Sequence, residues 1–326
     1  MHRYTILPKT IQVAVSEKTL KDAAVVAHLY YEERFANSFS YLKNVPPEVD
    51  VYIVTANPAL EAAAREAIRE AGCKNISIIT KPNQGRDFAA LLIAAREVLD
   101  SHSYIGFIHD KRNHPGEPKT LTDIWEKYLF ECVIGSGEYI SWILHRFEND
   151  PRLGLFSAPT PPIVTLLGLA GVLWTHNYLP TLRFLRKIGV TYRPCRQDDP
   201  LTIGSAFWFR TKAFEKLLSY PWTYEDFPPE PMPNDGTIAH ILERAMEAIC
   251  VDAGYRAGYV LNDNYAEAFI TRRSEQLTTA MCIIREAGLM VFTRGNLDLP
   301  LALQRLRERR MVKHNEQKAI DGTSDH

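Results

Sequence analysis

Val51-Tyr-Ile-Val-Thr55, Asn57-Pro58, Ala59-Leu-Glu-Ala-Ala-Ala-Arg-Glu-Ala-Ile-Arg-Glu-Ala71, Gly72, Ile76-Ser-Ile-Ile79: this order decides the fold class. A short β-branched run is followed by a capping Asn, a Pro suited to the first helical position, thirteen residues rich in Ala, Glu and Arg, a stopping Gly and a second β-branched run. That is strand, helix, strand with connections of a few residues. Working outward, Ala24 to Leu29 and Tyr104 to Ile108 read as further buried strands, a helix fits between Leu29 and Val51, and Phe88 to Leu99 reads as another helix. Strands alternating with helices predict an α/β sheet of parallel strands with right-handed crossovers.

Composition narrows the class without naming a function. The 326 residues carry 38 Lys and Arg against 39 Asp and Glu, with 46% hydrophobic and 24% charged residues, which excludes coiled coil, collagen and wholesale disorder. A net charge of −1 argues against a general nucleic-acid binder, whose affinity rests on neutralising phosphates. The five cysteines form no Cys-x-x-Cys pair, and no apolar run reaches the roughly 18 residues of a membrane span. With no signal-like N-terminal run, the expectation is a cytoplasmic protein with reduced thiols.

In the second half, 121 to 147 reads as helical, 151 to 202 as a Pro-rich, partly apolar stretch, and Ile203 to Arg210 as a strand. Ile238, Ile241, Leu242, Ala245, Met246 and Ile249 form the apolar face of a helix whose other face carries His240, Glu243, Arg244 and Glu247.

Open α/β sheets bind ligands beyond the carboxyl ends of their strands. Four groups stand there: His28-Leu29-Tyr30-Tyr31, Thr55-Ala56-Asn57, Asn83-Gln84-Gly85-Arg86-Asp87 and His109-Asp110-Lys111. The third opens a helix, so its amides and Arg86 suit an anion, although Gly85 as a turn and Asp87 as a cap would explain it equally. The fourth offers a carboxylate for a divalent ion on a diphosphate, or Lys111 as the positive charge itself; a solvated turn is the plain alternative. Asp226 and Asp235 lie in a proline-stiffened acidic loop ahead of the periodic helix, where Asp235 is either a general base or a helix cap. Phe207, Trp208 and Phe209 suit core better than binding platform.

Taken together, Val26 to Tyr31, Tyr41 to Pro46, Asn83 to Asp87, Ile108 to Lys111, Gly204 to Arg210 and Asp235 to Arg244 resemble the rhamnan synthesis protein F family, glycosyltransferases of bacterial surface polysaccharide and lipopolysaccharide assembly. The resemblance implies a glycosyltransferase A-type fold: a Rossmann-like, mainly parallel sheet flanked by helices, with an acceptor-side half of helices and irregular chain. It further implies a nucleotide-sugar donor, dTDP-rhamnose, and an inverting transfer to a growing, lipid-linked surface polysaccharide.

On that reading residues 1–21 are an extension, 22–295 the transferase domain (22–120 the donor half, 121–295 the acceptor half) and 296–326 a basic tail. His28, Tyr30, Thr55, Asn83, Gly85, Arg86, Asp87 and His109 border the nucleotide sugar. Asp110 and Lys111 manage the diphosphate, Asp235 is the catalytic base, and Trp208, Asp226, His240 and Glu243 stand on the acceptor side. Many A-type transferases carry Asp-x-Asp where this chain has His109-Asp110-Lys111, so Mg²⁺ or Mn²⁺ held by Asp110 and His240 and a metal-independent reaction are both open. Two rivals are a metal phosphohydrolase built on His109-Asp110 and a non-catalytic module that binds sugar nucleotide or polysaccharide.

The apolar run Ile163 to Trp174, the cations Arg183, Arg186, Lys187, Arg193 and Arg196, and the basic run from Arg305 to Lys313 predict peripheral contact with anionic lipid at the inner face of the cytoplasmic membrane.

Overall fold

A computed structural model of the chain describes residues 3–8, 12–111, 119–160, 172–233, 235–267, 271, 292–293 and 296–297. They fall into two units, Met1–Ala266 and Glu267–His326. The first half of the chain opens with β1 (Arg3–Leu7), α1 (Glu17–Lys21), β2 (Ala23–His28), α2 (Glu32–Leu42), β3 (Asp50–Thr55), α3 (Pro58–Ala71) and β4 (Ile76–Thr80). Then come α4 (Arg86–Ala89), a π-helical turn (Ala90–Ala94), α5 (Arg96–Ser101) and β5 (Tyr104–His109). The second half holds α6 (Lys119–Val133), α7 (Gly137–Asn149), β6 (Leu153–Ser157), α8 (Tyr178–Lys187), β7 (Phe207–Arg210), α9 (Glu215–Leu218), α10 (Ile238–Asp252) and β8 (Arg256–Asn262). In the second unit, β9 (Phe292–Thr293) and β10 (Asn296–Leu297) pair antiparallel.

β1 to β8 form one sheet in the order β1-β8-β6-β7-β5-β2-β3-β4. Every pairing is parallel except those of β7, which runs antiparallel between β5 and β6. This is the expected mainly parallel α/β sheet. β2 is buried along its whole length, as a central strand covered on both faces must be. The start of α3 follows the sequence: Asn57 Oδ1 accepts from Ala59 N at 3.0 Å, Pro58 occupies the first position, and Gly72 ends the helix at φ 66°.

Three expectations need correction. Residues 1–21 are not an unpatterned extension, because Arg3–Leu7 is an edge strand in register with Gly258–Asn262 and Glu17–Lys21 is a helix capped by Ser16. The strand placed over Ile203 to Arg210 begins only at Phe207, since Gly204 (φ 98°) and Ser205 (φ 50°) turn the chain first. Trp208 is not an acceptor-side group: it is fully buried, its Nε1 donates to Val133 O at 2.8 Å, and a Cβ on Gly106 would come within 2.6 Å of its ring. Most of the run at 163–174, and the whole tail from 305 to 313, lie outside the described residues.

Candidate active site

From β2 the chain lays β3 and β4 to one side, then returns to place β5 on the other side of β2. The carboxyl ends of β2 and β5 are therefore a topological switch point, where an open sheet leaves a crevice for ligands. His28 and His109 face each other there in register, and Asp110 N donates to His28 O at 3.1 Å.

Lys111 is the centre of this end of the sheet. Its Nζ donates to Gly204 O at 2.9 Å, stands 3.1 Å from His109 Nε2 and lies 4.9 Å from the centroid of the Trp125 ring. His109 Nε2 is also 3.2 Å from Gly204 O and 3.8 Å from Asp87 Oδ2. Burial holds the Lys111 ammonium below the usual lysine range although Glu243, Asp87, Glu126 and Asp110 all pull it upward. Burial, with the Lys111 charge beside it, lowers His109 to about 4, and burial with Lys81 nearby lowers His28 to about 3, so both rings are neutral at pH 7. Asp87 is buried too, which alone would raise it; His109, His28, Lys111 and the Phe88 amide outweigh that and keep its carboxylate low.

The Asp110 carboxyl faces the chain that leaves β2. Its Oδ2 accepts from Tyr30 N and Tyr31 N, both at 2.8 Å, so this carboxyl latches the turn that leaves β2. The same turn is held through Tyr30 O, which accepts from Asn57 Nδ2 at 2.9 Å, and Tyr30 OH, which accepts from Asn83 Nδ2 at 3.3 Å. Thr55, also buried, accepts from Asn57 N at 3.1 Å and so supports the rim from beneath.

Burial raises the Asp110 carboxyl to about 7, and burial raises Glu126 as well. The folded chain therefore keeps the Asp110 proton over a range where an unfolded aspartate, titrating near about pH 4, has lost it. Stability contributed by this group is full below about pH 4 and is lost as pH rises to about 7, by at most about 1.4 kcal/mol per pH unit. Asp110→Asn cannot titrate and still offers an oxygen to both amides, so urea unfolding at about pH 5 and about pH 8 should show a smaller difference in the variant than in the parent chain. Parallel pH dependence in the two would refute the assignment.

The loop between β4 and α4 is built for contact with the acidic loop. Gly85 (φ 74°) has no room for a side chain, since a Cβ would lie 2.4 Å from Ala89 Cβ and 2.7 Å from Phe227 Cγ. Gln84 Nε2 donates to Tyr224 O at 2.8 Å and Phe227 O at 2.9 Å. Arg86 spends its guanidinium on Glu230 Oε1 (3.2 Å from Nε) and Met232 O (2.9 Å from Nη2). Asp226 caps its own turn by accepting from Thr223 N at 3.0 Å.

Ahead of α10, Asp235 Oδ2 accepts from Thr175 Oγ1 and Oδ1 from Asn177 Nδ2, both at 2.7 Å. Partial burial would raise this carboxyl, but the two hydrogen bonds, the Gly236 amide and the Arg244 charge hold it below the ordinary range. It is thus an ionised, oriented carboxylate rather than the cap of α10, whose N-cap is Thr237. His240 Nδ1 bonds Thr237 Oγ1 at 2.7 Å. Glu243 Oε1 accepts from Gly204 N at 2.6 Å and Oε2 from Arg244 Nη1 at 2.9 Å, which links α10 to the turn that holds Lys111.

Several contributors escape a reading of the sequence. Glu126, on α6, accepts from Lys111 N at 2.8 Å and lies 3.4 Å from Arg34 Nη1; Lys81 donates to Pro82 O and Gln84 O and is lowered by burial to about 8. Arg244, expected on the polar face, is buried and donates to Leu173 O at 3.0 Å. Only Lys81 adjoins a strand end, a placement that could have flagged it. As for a cation, no three His, Cys, Asp or Glu side chains among the described residues stand close enough to hold one, and Asp110 faces two amides. The described donor set does not fit a metal resting on Asp110 and His240.

Among the described residues no helix is long and apolar enough to cross a membrane. Two curated relatives, both described as uncharacterized protein WxcX and both from strains of Xanthomonas campestris pv. campestris, are 26% identical over 178 residues, which is 53% of this chain and 24% of theirs. The chain spans about a quarter of the length of these relatives. A solved mannosyltransferase from Pyrobaculum calidifontis, in complex with GDP-Man and Mn²⁺, aligns over 78% of this chain and 61% of its own at 12% identity and a TM-score of 0.39. The family model described as rhamnan synthesis protein F matches residues 2–255, from the edge strand β1 through α10. The chain belongs to the rhamnan synthesis protein F family.

Proposed function

We propose that this chain is an A-type glycosyltransferase that binds a nucleotide-sugar donor over the β2 and β5 strand ends and passes the sugar to a hydroxyl presented from the α10 side. The observation that carries the reading is the placement of Lys111 at the switch point, in one bonded cluster with His109, Asp87 and the Gly204 turn. Tyr30 and Asn83 would line the nucleotide rim, and Lys111 would meet the charge that develops on the diphosphate as it leaves. His28, Thr55, Asp87 and Asp110 lie beneath that rim and fix its shape. Asp235 would take the acceptor proton while the acceptor oxygen bonds the anomeric carbon and the bond from that carbon to the diphosphate breaks, an inverting displacement.

Family membership supports rhamnose as the sugar, dTDP-rhamnose as the donor and a lipid-linked surface polysaccharide as the acceptor. The test is incubation with labelled dTDP-rhamnose and a rhamnan-type acceptor. Transfer of label supports the reading; acceptor-independent phosphate release or binding without turnover overturns it in favour of a phosphohydrolase or a binding module.

Such an acceptor requires work at a membrane surface, at the cytoplasmic leaflet. Leu179, Arg183, Arg186 and Lys187 are exposed on α8, which starts beside the Asp235 clasp at Asn177. Anionic vesicles should sediment the protein at low salt and release it at high salt, while neutral vesicles leave it in solution. Equal behaviour with both vesicle types would remove this part of the proposal.

A further inference from the structure

Among the described residues, 228–233 make no hydrogen bond from one backbone group to another; four of the six are Pro, which fix φ and lack an N–H, and side chains supply the bonds that hold the segment in place. Those side chains come from one place, the loop between β4 and α4. Gln84 binds Tyr224 O and Phe227 O; Arg86 binds Glu230 and Met232 O; Glu230 Oε2 accepts in turn from Met232 N at 2.9 Å. Phe227 is buried against Gly85, and Lys81 anchors the far side by donating to Gln84 O at 2.8 Å. Three residues beyond Met232 stands Asp235.

We propose that Gln84 and Arg86 are positioning residues that staple the 224–232 loop to the donor-side loop and so set where Asp235 stands against the bound donor. The proposal rests on the reading of Asp235 as the base. It reassigns Arg86, which the sequence offers as a phosphate ligand. The Nε and Nη2 edge that would grip a phosphate in bidentate fashion already faces the two oxygens of Glu230, and Nη2 also serves Met232 O. Arg86 holds this pose at φ 46°, in left-handed backbone that disfavours a side chain. The donor side and the acceptor side of the reaction are thereby fastened at a point that touches neither substrate.

The test uses the full chain with Arg86→Gln, Gln84→Ala, Glu230→Gln and the Arg86→Gln/Glu230→Gln pair, read by donor Kd, kcat and amide hydrogen exchange over 224–235. The expected result is faster exchange across the loop and a kcat loss of roughly 10- to 100-fold, the order expected when a reacting group is displaced by about an ångström. Donor Kd should stay within about 2-fold, and the paired variant should be no worse than its more damaging single. A large rise in donor Kd for Arg86→Gln with loop exchange unchanged would make Arg86 a phosphate ligand and overturn the proposal. Faster exchange with kcat unchanged would overturn it as well. In that case an active Asp235→Asn chain would trace the failure to the base, and an inactive one to the staple.

Discussion

Asp235→Asn should cost roughly 10²- to 10⁴-fold in turnover, the range a general base contributes, while donor Kd stays within a few-fold. The substitution keeps the shape of the side chain and changes what it can do with a proton. In the proposed role its direction is fixed, because Thr175 and Asn177 each donate to one Asp235 oxygen, and their bonds help hold the carboxyl below its ordinary range. Its own limb of the pH–rate profile should therefore fall below the ordinary carboxylate range. With its oxygen toward Asn177 Nδ2 and its NH2 toward the Thr175 hydroxyl, which can accept, the amide of the variant loses only the charge on these bonds, so a stability loss of about 1 kcal/mol accompanies it. Thermal melting separates that loss from catalysis, because a chain folded at the assay temperature must show its full chemical defect. An Asp235→Asn chain that transfers sugar at the parent rate would leave Asp235 as the clasp of the 175–177 turn and nothing more.

Lys111→Ala should lower turnover by about 10²-fold or more, as the loss of a preorganised charge facing a developing anion does. The ammonium sits at the end of β5 among four carboxylates, yet its direct partners are Gly204 O and His109 Nε2. Removing it leaves Gly204 O without that donor, so the Gly204 turn also loosens. Lys111→Arg distinguishes the two effects: it restores the charge and should recover part of the turnover, whereas a purely structural role would follow melting temperature. Near-parental rates in Lys111→Ala would end the diphosphate assignment.

Much of the first half of the sheet is legible in the sequence because its signals are local. Asn57, Pro58 and Gly72 mark the ends of α3 by chemistry that needs no partner, and the runs at 51, 76 and 104 are short, β-branched and bounded by polar turns. The apolar face of α10 is equally plain, although Arg244 is buried beside it because its guanidinium finds Leu173 O, His240 O and Glu243. Phe88 to Leu99 reads as one regular helix, whereas a π turn at Ala90–Ala94 interrupts it. The switch point is visible in the sequence only as a set of strand ends. Which ends face each other depends on strand order, a long-range property, and β7 inserts between β5 and β6 from about 100 residues downstream of β5. The latching role of Asp110 is hidden for the same reason, since its partners at Tyr30 and Tyr31 lie about eighty positions away. β1 escapes recognition because two of its five residues, Tyr4 and Ile6, are exposed, which leaves no buried run to see.

That edge strand has a consequence for biosynthesis. Arg3 pairs with Gly258, 255 positions later, so among the paired strands of this sheet the first to leave the ribosome is partnered by the last. At a translation rate of about 5–20 residues per second, Tyr4 and Ile6 wait on the order of 10–50 s before their neighbour exists. The β2–β5 layer can meanwhile assemble from strands made in succession. Through that interval the nascent chain carries an unsatisfied β-segment with two large apolar side chains, and it is there, rather than in the finished sheet, that a chaperone has most to do.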